Sequence, residues 1–274
     1  MIHADNVFFT YPSGVEALRG VTVEIKDEAF VAIMGENGAG KTTLVKHFNG
    51  ILKPTTGEVT INGVSTRRAS VAELSRQVGL IFQNPDHQLF SETVEEEIAF
   101  ALRNFGFDDR VIDERVNWAL NLLDLVEYGK TSPFMLSGGE RKRVALASVL
   151  AWDPNIVIID EPTIGQDYAQ KERLRQFIIQ LNAQGRTVIM VTHDVEFVAE
   201  CAPRVLVMSK GRIVADGSAR DILTDAAVIE KASIVLPQIS QLFAQLGLPD
   251  LRSDIIDFYE AKQQLKRILE VRHP

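Results

Sequence analysis

Residues 35–43 read Gly35-Glu-Asn-Gly-Ala-Gly-Lys-Thr-Thr43 and match the phosphate-binding pattern G-x-x-x-x-G-K-[ST]. An apolar run at 29–34 precedes this loop and is typical of a buried strand, and apolar residues recur at helical spacing after it. A strand, a glycine loop and a helix in this order bring backbone N–H groups to a point where a phosphate can bind. The loop residues that we expect to contact the nucleotide are Gly35, Asn37, Gly38, Ala39, Gly40, Lys41, Thr42 and Thr43.

Two side chains of this loop carry distinct chemistry. Lys41 is expected to reach the β- and γ-phosphates, and the Thr42 hydroxyl is expected to bind the magnesium ion of the nucleotide. The glycines allow positive φ angles and a close approach of the backbone to the ligand. The alternative is a tight turn that needs glycine for its geometry alone, and the lysine-threonine pair in register argues against it.

Composition narrows the class of protein. The chain has 274 residues, enough for one large domain with an appendage or for two domains. The net charge of −8 argues against a nucleic-acid-binding protein with a broad basic face. The sequence has neither a signal-peptide pattern nor an apolar run that approaches the ~18 residues of a membrane span. Cys201 is the only cysteine, which excludes a disulfide framework and favours a reducing, cytoplasmic setting.

Hydrophobic periodicity predicts an α/β protein. Short apolar runs that alternate with helical patterns predict a largely parallel sheet covered on both faces. The strands of this sheet are predicted at 29–34, 78–82, 156–159 and 187–191. Other β-rich segments are predicted at 2–11, 20–26 and 57–63, and a hairpin at 205–215.

Two further parts of the chain have helical patterns. Residues 92–152 predict an insert between two halves of the sheet, in which Val116, Leu120, Leu123 and Val126 share one face. Past Gly217 the chain is helical again, with breaks at Pro237 and at 247–249. The last segment has an amphipathic stripe of Ile255, Phe258, Lys262, Leu265 and Leu269. Periodicity alone leaves two roles open for this stripe, packing on the chain's own core or a dimer contact.

Polar residues follow three of the predicted strands. Neighbouring side chains of an extended backbone point to opposite sides, so Asp160 and Glu161 can serve different tasks. Asp160 suits the magnesium ion, and Glu161 suits polarising a water molecule aimed at the γ-phosphate. His193 could donate a hydrogen bond to the γ-phosphate, and Gln83 could either ligate magnesium or sense that phosphate.

A second anion site is predicted at Leu136-Ser-Gly-Gly-Glu140, which opens an apolar-striped helix. Ser137 and Glu140 have the spacing of a capping box, while Gly138 and Gly139 leave the backbone bare at the helix N-terminus. One nucleotide does not need two such sites from one subunit. A dimer that shares its nucleotides would explain both sites.

In their order along the chain, these motifs resemble those of the nucleotide-binding ATPase subunit of ABC transporters, over residues 2 to about 218. The resemblance implies a P-loop NTPase (RecA-like) core with an antiparallel β subdomain, an inserted α-helical subdomain and a C-terminal helical extension. It implies an ATPase domain at 1–220, with the helical subdomain at about 90–155, and an extension at 221–274 that contributes to a dimer.

The same resemblance assigns roles to the candidate residues. Tyr11 would stack on adenine, although packing on the core is an equal alternative from the sequence alone. Glu161 would be the catalytic base and His193 the switch histidine, and Gln83 would link the γ-phosphate to a membrane partner. Ser137, Gly138 and Gly139 would clasp the ATP held by the opposite subunit. The implied cofactors are ATP and Mg²⁺.

Three stretches, 82–90, 93–100 and 236–248, are similar to the ATPases of energy-coupling-factor importers, which take up vitamins or transition-metal ions. Such importers pair two ATPases, identical or homologous, with a transmembrane coupling subunit and a membrane substrate-binding subunit, at the cytoplasmic face of the cell membrane. The alternatives are the ATPase of another ABC importer class and, in a different class of protein, a soluble ABC ATPase that acts on DNA or ribosomes. The acidic composition and the single Walker loop argue against the last.

Two departures from the family pattern stand out. Glu140 lies where glutamine is usual, so it adds negative charge near the shared phosphate site. After the carboxylate pair, the chain reads Ile164-Gly-Gln-Asp-Tyr168 where Ala-Gly-Leu-Asp-Pro is common. Because that loop contacts the partner subunit in the family, Gln166 and Tyr168 bear on communication between the two sites.

Overall fold

The computed structural model describes residues 1–246, 252 and 254–272, with 268–272 described by their helical backbone alone. The strands are β1 (Ile2–Thr10), β2 (Glu16–Ile25), β3 (Phe30–Met34), β4 (Thr56–Ile61), β5 (Val64–Ser65), β6 (Val78–Ile81), β7 (Ile156–Asp160), β8 (Thr187–Val191), β9 (Arg204–Ser209) and β10 (Arg212–Ser218). The α-helices are α1 (Lys41–Phe48), α2 (Val71–Ser75), α3 (Val94–Phe105), α4 (Asp109–Leu122), α5 (Gly138–Leu150), α6 (Tyr168–Ala183), α7 (Val195–Cys201), α8 (Ala219–Thr224), α9 (Ala226–Ala232), α10 (Gln238–Leu246) and α11 (Phe258–Arg272). The α/β class is confirmed.

The central sheet has the strand order β10-β9-β3-β8-β7-β6. Neighbours from β9 to β6 run parallel, and β10 pairs antiparallel with β9. Strands β3, β7 and β8 are buried at every residue, which explains their continuous apolar sequences. Because these three strands are parallel, their carboxyl ends meet at one edge of the sheet. That edge carries the glycine loop, the Asp160–Glu161 pair and His193.

The second sheet has the order β2-β1-β4-β5 and is antiparallel, as the resemblance implied. Its buried face, helix α1 and one face of the central sheet enclose a common hydrophobic core. β2 begins at Glu16, earlier than the predicted 20–26, because Glu16 already pairs with Thr10 of β1. The core therefore fixes α1, and with it the glycine loop, against both sheets.

The predicted helical insert is formed by α3, α4 and α5, which lie between β6 and β7 in the chain and pack on one another. Val116, Leu120 and Leu123 are buried as expected. The expectation for Val126 is wrong, since its side chain is 59% exposed. Helix α4 ends at Leu122 and Asp124 has a left-handed φ of 56°, so the chain turns away before Val126.

The C-terminal stripe does not form one buried face. Ile255 is buried and Leu265 packs with it in a small core that includes Phe243 of α10, whereas Phe258 is 67% exposed and Lys262 is exposed. The side chain of Leu269 and the predicted break at 247–249 lie outside the described residues. No helix within the described part of the chain combines the length and the apolar character that a membrane span requires.

Candidate active site

The glycine loop between β3 and α1 has a backbone that only glycine adopts easily. Gly35 has a φ of 140° and Gly40 a φ of 100°. A Cβ atom at Gly35 would lie 2.0 Å from the carbonyl oxygen of Met208, and one at Gly40 would lie 2.6 Å from that of Ala17. Both positions therefore exclude a side chain by conformation and by space. The positive φ angles agree with the prediction for these glycines, and the space that a Cβ atom would need is occupied by the protein's own backbone.

Lys41 opens α1 and folds back over the loop. Its Nζ donates to the carbonyl oxygens of Gly35, at 2.8 Å, and Glu36, at 3.1 Å. Burial lowers the pKa of Lys41, and the nearby carboxylates of Glu161 and Asp160 oppose that shift. Carbonyl oxygens are weaker partners for a buried ammonium than phosphate oxygens, because hydrogen bonds between two ionised groups are stronger. The loop thus holds a cation ready for an anionic ligand.

Thr42 and Asp160 meet at the end of the parallel strands. The Thr42 hydroxyl donates to Asp160 Oδ2 at 2.8 Å. Asp160 is 3% exposed, and its other carboxylate oxygen, Oδ1, is buried with no hydrogen-bond partner among the described residues. Burial raises the pKa of Asp160, and the Thr42 hydrogen bond partly offsets this rise. A buried oxygen without a partner beside a hydroxyl fits a hard cation such as Mg²⁺, which prefers oxygen ligands.

Glu161 and His193 form the second polar pair at this edge. Glu161 has a left-handed φ of 51°, and its N–H donates to the carbonyl of Val191 at 2.7 Å. Its side chain is 7% exposed, and Oε2 lies 2.9 Å from Nδ1 of the half-exposed His193. The parallel pairing of β7 with β8 brings the two side chains together. The result is a carboxylate with one oxygen held by an imidazole, an arrangement suited to accepting a proton.

Tyr11 lies beside the loop, and Gln83 stands apart from it. The Tyr11 hydroxyl is 3.0 Å from the Thr43 hydroxyl, and its ring meets Phe9 edge-on at 4.8 Å. The Tyr11 ring therefore packs on the core, as the alternative to adenine stacking predicted, and its hydroxyl contacts the loop. Gln83 is exposed, and within the described residues no hydrogen bond joins it to the loop or to Asp160.

Ser137 caps α5, as the spacing predicted. The Glu140 N–H donates to Ser137 Oγ at 3.4 Å, and Glu140 Oε2 accepts from the Ser137 N–H at 2.7 Å. Hydrogen bonds to the Glu140 carboxylate from the Ser137 side chain, the Ser137 backbone N–H and the Tyr128 hydroxyl lower the pKa of Glu140, and the contact with Glu140 raises the pKa of Tyr128 to about 12. The Glu140 carboxylate therefore turns back onto its own helix. In the described part of the chain, no hydrogen bond or ion pair joins 137–139 to the glycine loop.

Two residues that the sequence interpretation missed hold the segment after β6. Gln88 Nε2 donates to the Ala145 carbonyl at 2.9 Å, and Gln88 Oε1 accepts from the Phe82 N–H. Glu97 is 3% exposed, and its Oε2 accepts from the N–H groups of Phe90, at 2.9 Å, and Ser91, at 2.7 Å. A glutamate inside the apolar stripe of α3 was a usable signal for Glu97.

Comparison with known sequences matches the family described as ABC transporter to residues 18–164. A putative ABC transporter ATP-binding protein from Caldanaerobacter subterraneus is 44% identical over 90% of this chain, which spans only 43% of that relative. The energy-coupling factor transporter ATP-binding protein EcfA of Methanothermobacter thermautotrophicus is 40% identical over 93% of this chain and 83% of the relative.

Solved structures of ABC transporter cassettes are also similar to this chain. The cbiO1 protein from Clostridium perfringens, described as part of the ABC transporter complex cbiONQ, superposes with a TM-score of 0.74 at 33% identity, covering 89% of this chain and 98% of that one. An ATP-binding cassette in a dimeric post-hydrolysis state, bound to ADP and Pi, has the same TM-score of 0.74 at 30% identity, covering 80% of this chain and 99% of that one.

Proposed function

The chain belongs to the ABC transporter family, and from this premise we propose that it is the ATP-hydrolysing subunit of an energy-coupling-factor importer. The observation that carries the proposal is the meeting of two polar pairs, Thr42 with Asp160 and Glu161 with His193, at the edge where the glycine loop lies. Relatives named EcfA favour this importer type over other ABC importer classes. The imported substrate is proposed to be a vitamin or a transition-metal ion.

The proposed reaction is the hydrolysis of ATP to ADP and phosphate. The loop amides and Lys41 bind the phosphates, and Tyr11 stacks on the adenine. Glu161 takes a proton from water as the water oxygen bonds to the γ-phosphorus and the bond from that phosphorus to the leaving ADP oxygen breaks. Contact with His193 Nδ1, at 2.9 Å, orients the Glu161 carboxylate for this step. When bound, Mg²⁺ would be held by Thr42 and Asp160, with Gln83 reaching it after movement of its segment, and would neutralise charge on the phosphate oxygens.

We further propose that each ATP is bound between two subunits. The N-terminus of α5 offers an anion site, since Ser137 is exposed and Gly138 and Gly139 have no side chains to cover the backbone. This site makes no hydrogen bond or ion pair with the glycine loop of the same chain among the described residues. A second subunit, identical or homologous, would bring its own Ser137–Gly139 segment against the nucleotide of the first. The dimeric cassette with ADP and Pi supports this arrangement by analogy.

The membrane partner is proposed to dock in a groove of about 480 Å³ between the helical insert and the core. Phe90 and Phe100 meet edge-on at 4.6 Å in this groove and are 58% and 45% exposed, and Ile51 and Val71 add further apolar surface. Exposed apolar surface of this kind marks sites of protein contact. The segment after β6, which contains Gln83, borders the groove and would connect the transmembrane coupling subunit to the nucleotide. The chain would then act at the cytoplasmic face of the cell membrane, alongside a membrane substrate-binding subunit.

Replacing Glu161 by glutamine tests the proposed function. The amide cannot accept the proton of the attacking water, so Glu161→Gln should lower kcat for ATP hydrolysis by about 100-fold or more. Binding of ATP should persist because Lys41 and the loop are unchanged, and the variant should accumulate as an ATP-bound dimer. The measurements are phosphate release, nucleotide binding by fluorescence, and size-exclusion chromatography with ATP and Mg²⁺.

Lys41→Ala is the matched control, since it should lose ATP binding and with it the dimer. Wild-type turnover in Glu161→Gln would refute the role of Glu161 as base. The absence of ATP hydrolysis in the wild-type chain and in its complex with co-purified membrane subunits would refute the proposed function.

A further inference from the structure

Lys142 lies in the first turns of α5, and its Nζ donates a hydrogen bond to the carbonyl oxygen of Ile164. Ile164 belongs to the loop 162–167, which follows Glu161 directly and leads into α6. The bond therefore connects the helical insert to the segment that begins at the proposed catalytic base. The proposed function assigned no role to Lys142.

Lys142 lines a cleft between the helical insert and the core. The cleft has a volume of about 180 Å³ and is lined on the insert side by Leu123, Lys142 and Leu146. On the core side it is lined by Glu161 and Leu174, among others. Among the described residues, the Lys142 bond is a direct side-chain contact from the insert to the backbone of this loop.

The loop is anchored at both ends. At its start, the Glu161 N–H donates to the Val191 carbonyl at 2.7 Å. At its end, Asp167 caps α6 by accepting from the Gln170 N–H at 2.8 Å. Between these anchors the Lys142 bond holds the carbonyl of Ile164. The position of α5 thus affects the conformation of the backbone that follows Glu161.

The charge of Lys142 has a defined surrounding. Burial lowers the pKa of Lys142, and the attraction of Glu161 opposes this shift. Arg143 and Arg173 line the same cleft and add positive charge, whereas Asp160 adds negative charge deeper in it. An ammonium in a partly buried site interacts more strongly with a carboxylate than it would in water. Lys142 therefore restrains the loop by a hydrogen bond, and its ammonium is attracted by the nearby Glu161 carboxylate.

We propose that Lys142 is a positioning residue, which ties α5 to the Ile164 carbonyl and so sets the Glu161 carboxylate according to the position of the helical insert. This inference rests on the proposed function, because it concerns the residue that activates the attacking water. The segment after β6 is one physical link between the helical insert and the active site, and the Lys142 bond is a second one. Lys142 itself need not contact the nucleotide.

The test compares Lys142→Met, which keeps the length of the side chain but removes charge and donor, with Lys142→Arg, which keeps both. Lys142→Met should lower kcat for ATP hydrolysis about tenfold to 100-fold while KM for ATP stays within about twofold, because misplacement of a catalytic group costs rate and spares binding. Lys142→Arg should restore most of kcat. In the nucleotide-free chain, hydrogen exchange of the amides at 163–167 should be faster in Lys142→Met only.

Lys130→Met is the matched control, since Lys130 also lies on the helical insert and pairs with Glu95, but is 84% exposed and outside the cleft. It should leave kcat and the exchange rates unchanged, and circular dichroism should show that each variant is folded. Unchanged kcat in Lys142→Met, a loss expressed in KM alone, or an equal loss in Lys130→Met would overturn the inference. If the wild-type chain hydrolyses no ATP, the proposed function fails, and unaltered exchange at 163–167 would separately refute the restraint of the loop.

Discussion

Asp160 and Glu161 are adjacent in the chain but have different surroundings in the fold. Asp160 is the last residue of β7 and faces the Thr42 hydroxyl, with a buried oxygen left over. Glu161 has already left the strand with a left-handed φ of 51°, which directs its carboxylate toward His193. The alternation of side chains along a strand suggested two separate tasks, and the turn at Glu161 is what separates them. A non-glycine residue in this conformation is uncommon and is tolerated where surrounding bonds fix it, as the Val191 carbonyl does here.

His47 makes the stability of α1 depend on pH. The imidazole is fully buried, its Nδ1 lies 2.7 Å from the Thr43 carbonyl, and its Nε2 has no hydrogen-bond partner among the described residues. In the neutral imidazole the Nδ1–H donates to this carbonyl. Burial lowers the pKa of His47 below its usual 6.5. Below that pH the unfolded chain binds the proton first, so this contribution is complete above about 6.5 and is lost as the pH falls.

The prediction concerns the free energy of unfolding measured in urea at pH 7.5 and at pH 5.5. The wild-type value should fall over this interval by up to about 1.4 kcal/mol more than that of His47→Gln, because one proton is involved and the unfolded chain binds it only below about pH 6.5. His87→Gln removes an exposed histidine and should keep the wild-type slope. Equal slopes for wild type and His47→Gln would mean that the buried imidazole does not govern this dependence.

At the scale of elements, the sequence predicts what is locally encoded. Strands β3, β7 and β8 are predicted within one residue of their observed bounds because they are buried on both faces and hence continuously apolar. The same periodicity misplaces Val126 because no hydrophobic pattern marks the turn after α4. Three contacts could not be predicted in this way: those of Gln88, Glu97 and Lys142. Each is a hydrogen bond between a side chain and a backbone atom elsewhere in the fold, so the spacing of residue types does not specify it. The glycine loop and the carboxylate pair could be located from the sequence because their chemistry requires fixed residue types at fixed positions.

Glu97 is expected to hold helix α3 and the segment at Phe90 and Ser91 together. Its buried Oε2 accepts two backbone hydrogen bonds, and glutamine at this position would have a weaker, uncharged acceptor and two donors without assigned partners. Glu97→Gln should therefore lower the free energy of unfolding by about 1–3 kcal/mol, measured by urea denaturation. Because Phe90 lines the proposed docking groove, binding of the membrane partner should weaken as well.

Glu95→Gln controls for the loss of a carboxylate from the same helix. Glu95 pairs with the exposed Lys130, and an exposed ion pair contributes little to the stability of the fold. The two variants change the net charge equally, so a difference between them reports the buried contacts of Glu97. Equal stabilities would contradict the role assigned to Glu97.

At the scale of the whole molecule, the two proposed anion sites lie in different parts of the fold. The glycine loop is fixed by the core shared between the two sheets, whereas Ser137 belongs to the helical insert. A second subunit that closed on the first would satisfy both sites at once, and reopening after hydrolysis would follow from loss of the γ-phosphate that joins them. The division of the chain near residue 220 and the dimer role of the extension remain predictions. Near this division, Arg220 of α8 pairs with Asp254 and Glu260 of the C-terminal region.

Complementation between two inactive variants decides whether the sites are shared. Ser137→Arg should block the anion site on α5, and Lys41→Ala should disable the glycine loop, so neither variant alone should hydrolyse ATP. In a mixed dimer of the two, sharing would pair the intact loop of the Ser137→Arg subunit with the intact Ser137 of the other. One complete site would then remain, with one ATP occluded per dimer and partial hydrolysis restored. If each chain used its own Ser137, both sites of the mixed dimer would be defective, and the absence of occluded ATP would refute the shared arrangement.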